Sequence, residues 1–231
     1  MSLSEVFNID CMEALREAPD NHWSLAICDP PYGIGEDGSK NHTRTKLAVA
    51  QNYKSFSGGD IEPPPTEYFQ ELRRVSVNQI IWGANHFISR IGVDSPCWCV
   101  WDKDNGLSDF ADCELAWTSF RSAVRRLRFK WAGMLQENMA NKEQRIHPTQ
   151  KPVALYKWLL QNYAKPGDTI LDTHLGSGSS RIAAYDLGFD FTGYELDKDY
   201  FEAQEKRFAD HIAQPKLFTP EAVTVEQESL F

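Results

Sequence analysis

The apolar run Leu25-Ala-Ile-Cys28 leads directly into Asp29-Pro30-Pro31-Tyr32. Two consecutive prolines fix φ and remove two backbone donors, so the chain leaves its strand rigidly with carbonyls unpaired and facing outward. The product is a preset cluster: the Asp29 carboxylate, the Pro30 carbonyl and the Tyr32 ring. Such a cluster suits an exocyclic amine. Its two N–H groups are accepted by the carboxylate and the carbonyl, which draws the nitrogen lone pair out of conjugation, while Tyr32 stacks on the ring face. The same residues also read as a Pro-rich turn with a surface Asp. Their place at the carboxyl end of a strand favours the ligand reading, because open α/β sheets bind ligands there.

A second cluster lies far along the chain. Asp168-Thr-Ile-Leu-Asp172-Thr173-His174-Leu-Gly176-Ser-Gly178-Ser179-Ser180 reads as strand, tight turn, helix. Glycines there let the backbone approach a ligand, and a helix N-terminus offers free N–H groups to an anion. A dinucleotide fingerprint wants a third glycine near position 181, where Arg181 stands. Seventeen residues after Gly178, the run Phe191-Thr-Gly-Tyr194 ends in Glu195, a carboxylate placed to accept from both hydroxyls of a ribose. Together they point to an adenosine-type cofactor with no pyrophosphate requirement.

The elements that must position these residues alternate in the manner of an α/β protein. Strands are expected at Glu5–Ile9, Leu25–Cys28, Gln79–Trp82, Cys97–Trp101, Glu114–Thr118, Asp168–Leu171 and Phe191–Tyr194. Helices are expected at Met12–Glu17, Thr66–Arg73, Pro152–Tyr163, Ser179–Leu187 and Lys198–His211, the fourth capped by Ser179 or Ser180. Segments 33–65 and 119–146 read as loop-rich insertions, and residues 215–231 as a tail outside the core. Trp82-Gly83-Ala84-Asn85 and Trp101-Asp102-Lys103 sit at strand ends facing the tetrad's side and either shape a pocket or pack the core. Pro96-Cys97 has the order of a loop-borne cysteine nucleophile, but it opens an apolar strand, which argues against that role.

Composition narrows the class. At 231 residues with 42% hydrophobic and 25% charged, the chain is one globular domain with insertions, not a disordered scaffold. Five cysteines without a Cys-x-x-Cys pair argue for reduced thiols in the cytosol, against a disulfide framework and against zinc. The histidines show no metal spacing, and no apolar run approaches the ~18 residues of a membrane span. The net charge is −9, yet segment 119–146 holds seven Lys and Arg against two acids, a local +5 on a body of −14. That concentration either docks an anionic polymer or forms a solvated charged face. Within it, Arg121, Arg125, Arg126, Arg128 and Lys130 are the candidate phosphate contacts, with Leu127 and Phe129 as apolar anchors between them.

In these residues the chain resembles the amino-methylating DNA methyltransferases that act on adenine N6 with S-adenosylmethionine. Asp29–Tyr32 matches the family's catalytic Asp-Pro-Pro-Tyr in full, and Gly176 and Gly178 match its cofactor turn, with Asp172-Thr173 where Asp-Pro is usual. Gly193-Tyr-Glu195-Leu196-Asp-Lys-Asp-Tyr200 resembles the ribose-binding segment, His147-Pro-Thr-Gln-Lys151-Pro152 the approach to the cofactor strand, and Asn8-Ile9-Asp10-Cys11-Met12 the segment lining the cofactor adenine. The order, catalytic motif first and Gly motif last, is that of the permuted group.

The resemblance implies a Rossmann-like three-layer α/β sandwich: seven strands, mostly parallel, one antiparallel. It implies one domain over 1–214, with target recognition in the insertions at 33–65 and 119–146. It also implies double-stranded DNA as partner, a flipped-out target base, and a cytoplasmic bacterial or phage setting. Asp29, Pro30, Pro31 and Tyr32 are the implied catalytic set. Asp10, Cys11, Asp29, Lys151, Asp172, Thr173, His174, Gly176, Gly178, Ser179, Glu195 and Leu196 are the implied cofactor set. Cytosine-N4 methylation uses the same chemistry but is associated with Ser at position 29. Protein-glutamine methyltransferases use Asn-Pro-Pro-Tyr and place the Gly motif first, and a silent DNA-binding relative would have no need of both motifs. Finally, Gln227-Glu-Ser-Leu230-Phe231 resembles the short peptides that engage the bacterial sliding clamp, where Leu230 and Phe231 fill an apolar pocket and Gln227 bonds at its edge. A Leu-Phe end also packs back on a domain.

Overall fold

The run Leu25–Cys28 is apolar at every position, a pattern that requires cover on both faces. The computed structural model, which describes residues 2–35, 60–106, 111–132 and 135–214, supplies that cover. In chain order the elements are β1 (Ser4–Phe7), α1 (Cys11–Glu17), β2 (Trp23–Cys28), α2 (Thr66–Val75), β3 (Ser76–Trp82), a 3-10 turn at Ala84–His86 and α3 (Ile88–Ile91). They continue with β4 (Trp98–Asp102), β5 (Cys113–Thr118), β6 (Arg125–Arg128), β7 (Trp131–Ala132), β8 (Leu135–Gln136) and α4 (Val153–Tyr163). The last four are β9 (Thr169–Asp172), α5 (Ser179–Leu187), β10 (Asp190–Tyr194) and α6 (Lys198–Ala213).

Eight strands form one sheet in the order β1-β10-β9-β2-β3-β5-β4-β6, and β7 and β8 pair as a separate ribbon. The first five are mutually parallel, while β5 runs antiparallel to both neighbours. Strand side chains alternate between faces, and the core divides accordingly. Leu25, Ile27, Ile80 and Trp82 pack with Leu155 and Leu159 of α4 and Ala183 and Ala184 of α5. Ala26, Cys28 and Ile81 pack with Leu15 of α1, Phe69 and Leu72 of α2 and Ile91 of α3. The result is a three-layer α/β sandwich. Among the described residues no helix is long and apolar enough to cross a membrane.

Two local expectations are corrected. Segment 119–146 is not all loop: β6 adds an eighth strand beside β4, parallel to it. It escapes a hydrophobic-pattern reading because an edge strand needs few apolar contacts and benefits from charge. Leu127 packs against the core while Arg125, Arg126 and Arg128 stay exposed. Nor does a serine cap α5. The N-cap is Gly178 at φ +71°, with no side-chain cap. The helix springs from a left-handed glycine, and the serine hydroxyls serve tertiary bonds instead.

Candidate active site

Five consecutive parallel strands, β1, β10, β9, β2 and β3, end on one edge of the sheet. At or just beyond those ends come Asp10, Glu195, Asp172, Asp29 and Gly83, so residues scattered over the whole sequence share one rim.

On one side of that rim the backbone does the holding. Gly176 and Gly178 have φ of +51° and +71°, a left-handed pair that folds the turn after β9 back over the strand ends. The Glu195 carboxylate accepts from the Gly176 N–H and from the Asp197 N–H, both at 2.8 Å. Burial pushes its pKa up, while those two N–H groups work against the shift. Asp172 accepts from the His174 N–H at 3.0 Å and the Ser180 hydroxyl at 2.5 Å. Burial dominates there and raises its pKa to about 7. Asp10 caps α1 by accepting from the Met12 N–H at 2.9 Å. Beneath the turn, the Tyr68 and Thr173 hydroxyls are 2.6 Å apart, and the Thr173 hydroxyl is 2.9 Å from His174 Nδ1. His147 lies beside Gly176 and tilts onto Tyr200 at 4.3 Å. Burial lowers the pKa of both His147 and His174 to about 4, so both are neutral at pH 7.

On the other side, side chains do the holding. The Tyr32 hydroxyl donates to Asp29 Oδ1 at 2.7 Å. The Lys151 ammonium, only 4% exposed, donates to Asp29 Oδ2, to the Tyr32 hydroxyl at 3.0 Å and to Glu114 Oε2 at 3.0 Å. Glu114 is also ion-paired with Lys103. Burial raises the Asp29 pKa, opposed by Lys151. For Glu114 burial pushes the same way, but Lys151 and Lys103 outweigh it and bring the pKa down to about 2. Tyr32 packs on Gly83, where a Cβ would lie 2.0 Å from its ring, and stacks on His86 at 5.2 Å. Gly83, at φ +68°, therefore serves both a turn and a close approach.

The structure thus brings Asp29, Tyr32, Asp10, Asp172, Thr173, His174, Gly176, Gly178 and Glu195 to one edge. Lys151, named in the implied cofactor set, bonds to Asp29, Tyr32 and Glu114. The Ser179 hydroxyl is buried against Ser177 Oγ at 3.1 Å and Arg207 at 2.9 Å rather than open to the rim. Leu196 is 63% exposed. Lys103, at a strand end expected to shape a pocket or pack the core, reaches the site through Glu114, which the sequence alone does not single out. The available signal for Glu114 was a lone acid in an otherwise apolar strand.

The basic segment divides. Ser119 N–H bonds to the Gln79 carbonyl, so the chain after β5 runs back toward the start of β3. Arg121 therefore lies at the opposite edge of the sheet, roughly 15 Å from the rim. It lines a shallow cavity with Arg73, Asp94 and Trp117. Cys97 is at that far end too, accepting from the Ser122 hydroxyl at 3.2 Å. Arg128 and Lys130 are at the rim, where Asp104 pairs with them at 2.5 and 3.3 Å. Leu127 and Phe129 pack inward and are not docking anchors. Gln227–Phe231 lies outside the described residues, as does most of segment 33–65.

A mixed sheet of this order, with its ligand rim at the carboxyl ends of the parallel strands, is the fold of the S-adenosylmethionine-dependent DNA methyltransferases. Residues 94–206 match the DNA methylase family of N6/N4 methyltransferases. The chain is homologous to type II methyltransferases: M.HinfI of Haemophilus influenzae is 24% identical over 89% of this chain and 68% of its own length. M.HpaI of Haemophilus parainfluenzae is 25% identical over 86% of this chain and 72% of its own. Among solved structures, the M1.HpyAVI–SAM complex aligns at TM-score 0.58 and 20% identity, covering 89% of this chain and 98% of that one. The cytosine-N4-specific PvuII DNA methyltransferase aligns at TM-score 0.60 and 12% identity, covering 95% of this chain and 89% of that one.

Proposed function

We propose that this chain transfers a methyl group from S-adenosylmethionine to the exocyclic N6 of an adenine extruded from duplex DNA. The observation that carries the reading is the placement of Asp29-Pro-Pro-Tyr32 and of the Gly176/Gly178 turn with Glu195 on neighbouring strand ends of one rim. S-adenosylmethionine supplies an electrophilic methyl on sulfur. The rim suits it: Glu195 keeps lone pairs beyond its two N–H bonds for ribose hydroxyls, and the left-handed glycines expose backbone close to that carboxylate. Asp10, Cys11, Asp172, Thr173 and His174 are assigned to the same cofactor.

Asp29 and the Pro30 carbonyl orient the target amine, and Tyr32 frames the base. With the cofactor held by Glu195 and the glycine turn, its methyl would pass to the amine nitrogen that Asp29 and Pro30 orient, the electron pair of the broken C–S bond would stay on sulfur, and the surplus amine proton would leave to solvent. Positioning supplies most of the acceleration. Arg125, Arg126, Arg128 and Lys130 contact phosphates, and segments 33–65 and 119–146 read the sequence within a single domain of permuted motif order.

A second reading, cytosine N4, draws support from the likeness to the PvuII enzyme. One assay separates them: incubation of unmethylated genomic DNA with the purified chain and S-adenosylmethionine, followed by nucleoside mass spectrometry. N6-methyladenine supports the reading, and N4-methylcytosine replaces it with the second. Neither product overturns both.

A further inference from the structure

The amine-methylation reading leaves Lys151 and Glu114 without a task, and their geometry assigns one. Lys151 has three N–H donors and spends all of them, on Asp29, Tyr32 and Glu114. Asp29 accepts one bond on each oxygen, from Tyr32 on Oδ1 and from Lys151 on Oδ2, and keeps a lone pair on each for the target amine. We infer that Lys151 is a positioning residue that fixes the Asp29 carboxylate for the amine, and that Glu114 is the second anchor that holds Lys151 there and balances its charge.

The charge count explains why a second carboxylate is needed. Asp29, Glu114, Lys151 and Lys103 sum to zero, so the amine meets a neutral cluster as methylation makes it positive. Without Glu114 the cluster would carry +1 and repel that charge. The acidities follow the same charges: Glu114 is held low, to about 2, by its two lysines, whereas Asp29 is raised by burial and by Glu114 and held down by Lys151. The other groups that act on Asp29 are the Tyr32 hydroxyl beside it, Tyr156 on α4 and Asp172 on β9.

The inference rests on the methyl-transfer reading, and the test keeps the two apart. Asp29 is titrated in the full chain by carboxyl-carbon NMR, with no DNA present, in wild type, Glu114→Gln, Lys151→Gln and the double variant. Removing a like charge lowers the Asp29 midpoint in Glu114→Gln, and removing its cation raises it in Lys151→Gln, each by about one unit or more. The double variant, neutral again, returns near wild type. Methylation by Glu114→Gln, with tritiated S-adenosylmethionine and unmethylated genomic DNA, falls at least tenfold in kcat, while the Kd for S-adenosylmethionine stays within threefold. Glu114→Asp, which keeps the charge, restores most of the rate.

Midpoints moving in the same direction in both single variants indicate general loosening and overturn the inference. So does an unchanged kcat in Glu114→Gln. If Lys151→Gln does not fold, the Glu114→Gln and Glu114→Asp pair decides alone. A wild-type chain that methylates no base overturns the reading beneath, whatever the titrations show.

Discussion

The two sides of the rim hold their carboxylates by different means. Around the glycine turn, Asp172, Glu195 and Asp10 are satisfied mostly by backbone N–H groups, from residues no more than 19 positions away. Around the tetrad, Asp29 and Glu114 are satisfied by lysine side chains, one of them 122 residues from Asp29. Backbone donors carry no net charge and cannot swing, so the first side is a fixed cradle. Lysine donors bring charge, so the second side depends on the balance of its charges. The cradle should tolerate local change with graded loss of binding, and the tetrad should fail in rate.

The largest contrast expected is between Asp29→Ala and Glu195→Ala. The first should abolish methyl transfer while leaving S-adenosylmethionine binding within about tenfold. The second should weaken that binding by roughly 1–3 kcal/mol, the cost of lost charge-assisted bonds, with the rate recovered at saturating cofactor. Calorimetric binding and saturation kinetics check both, and a Kd unmoved by Glu195→Ala would remove Glu195 from the site.

Next are two glycines with similar φ and different neighbours. Gly83→Ala drives a Cβ into the Tyr32 ring at 2.0 Å, whereas Gly178→Ala meets the buried Gln204 side chain at the milder distance of 3.1 Å. The first should cost about 100-fold in kcat by displacing the tetrad tyrosine. The second should cost about 1 kcal/mol of stability, the ordinary penalty of a left-handed alanine. Equal losses of rate would erase the distinction between the two sides.

Third is acid sensitivity on the cradle side. His147 has a folded pKa of about 4 against 6.5 unfolded, so the unfolded chain binds the proton first and stability falls as pH drops from 6.5 to 4. His147→Asn should lose less on that acidification than wild type, by about 2 kcal/mol in denaturant unfolding. Parallel pH curves would show that His147 titrates normally.

The smallest effect concerns the DNA face. Asp104 pairs with both Arg128 and Lys130 and offsets one of their two charges, so Asp104→Asn should strengthen DNA binding about threefold and steepen its salt dependence. Arg121→Ala, at the far edge, should leave the salt slope unchanged. A flattened slope in Arg121→Ala would bring the far edge into the DNA contact.

Most of the framework was legible in the residues, since an apolar run covered on both faces and a helix-period segment announce themselves locally. The Gly176/Gly178 turn and Glu195 were legible for the same reason: their partners are their own backbone and that of the adjacent strand. Strand β6 was not, because its only inward side chain in Arg125–Arg128 is Leu127. The division of the arginines was also hidden. Arg121 and Arg128 are close in sequence, but the chain turns between them and β6 runs opposite to β5, which puts them at opposite edges.

The amino-acid sequence by itself determined the two chemical clusters, their order along the chain and the α/β alternation that carries them, because each depends on local backbone preference and hydrophobic period. Only the tertiary structure decided that Lys151 would sit on Asp29, and that Glu114 and Lys103 would complete a neutral four-charge group. Ion pairs across a sheet edge depend on strand order and register, and neither is written in the spacing of the residues that meet.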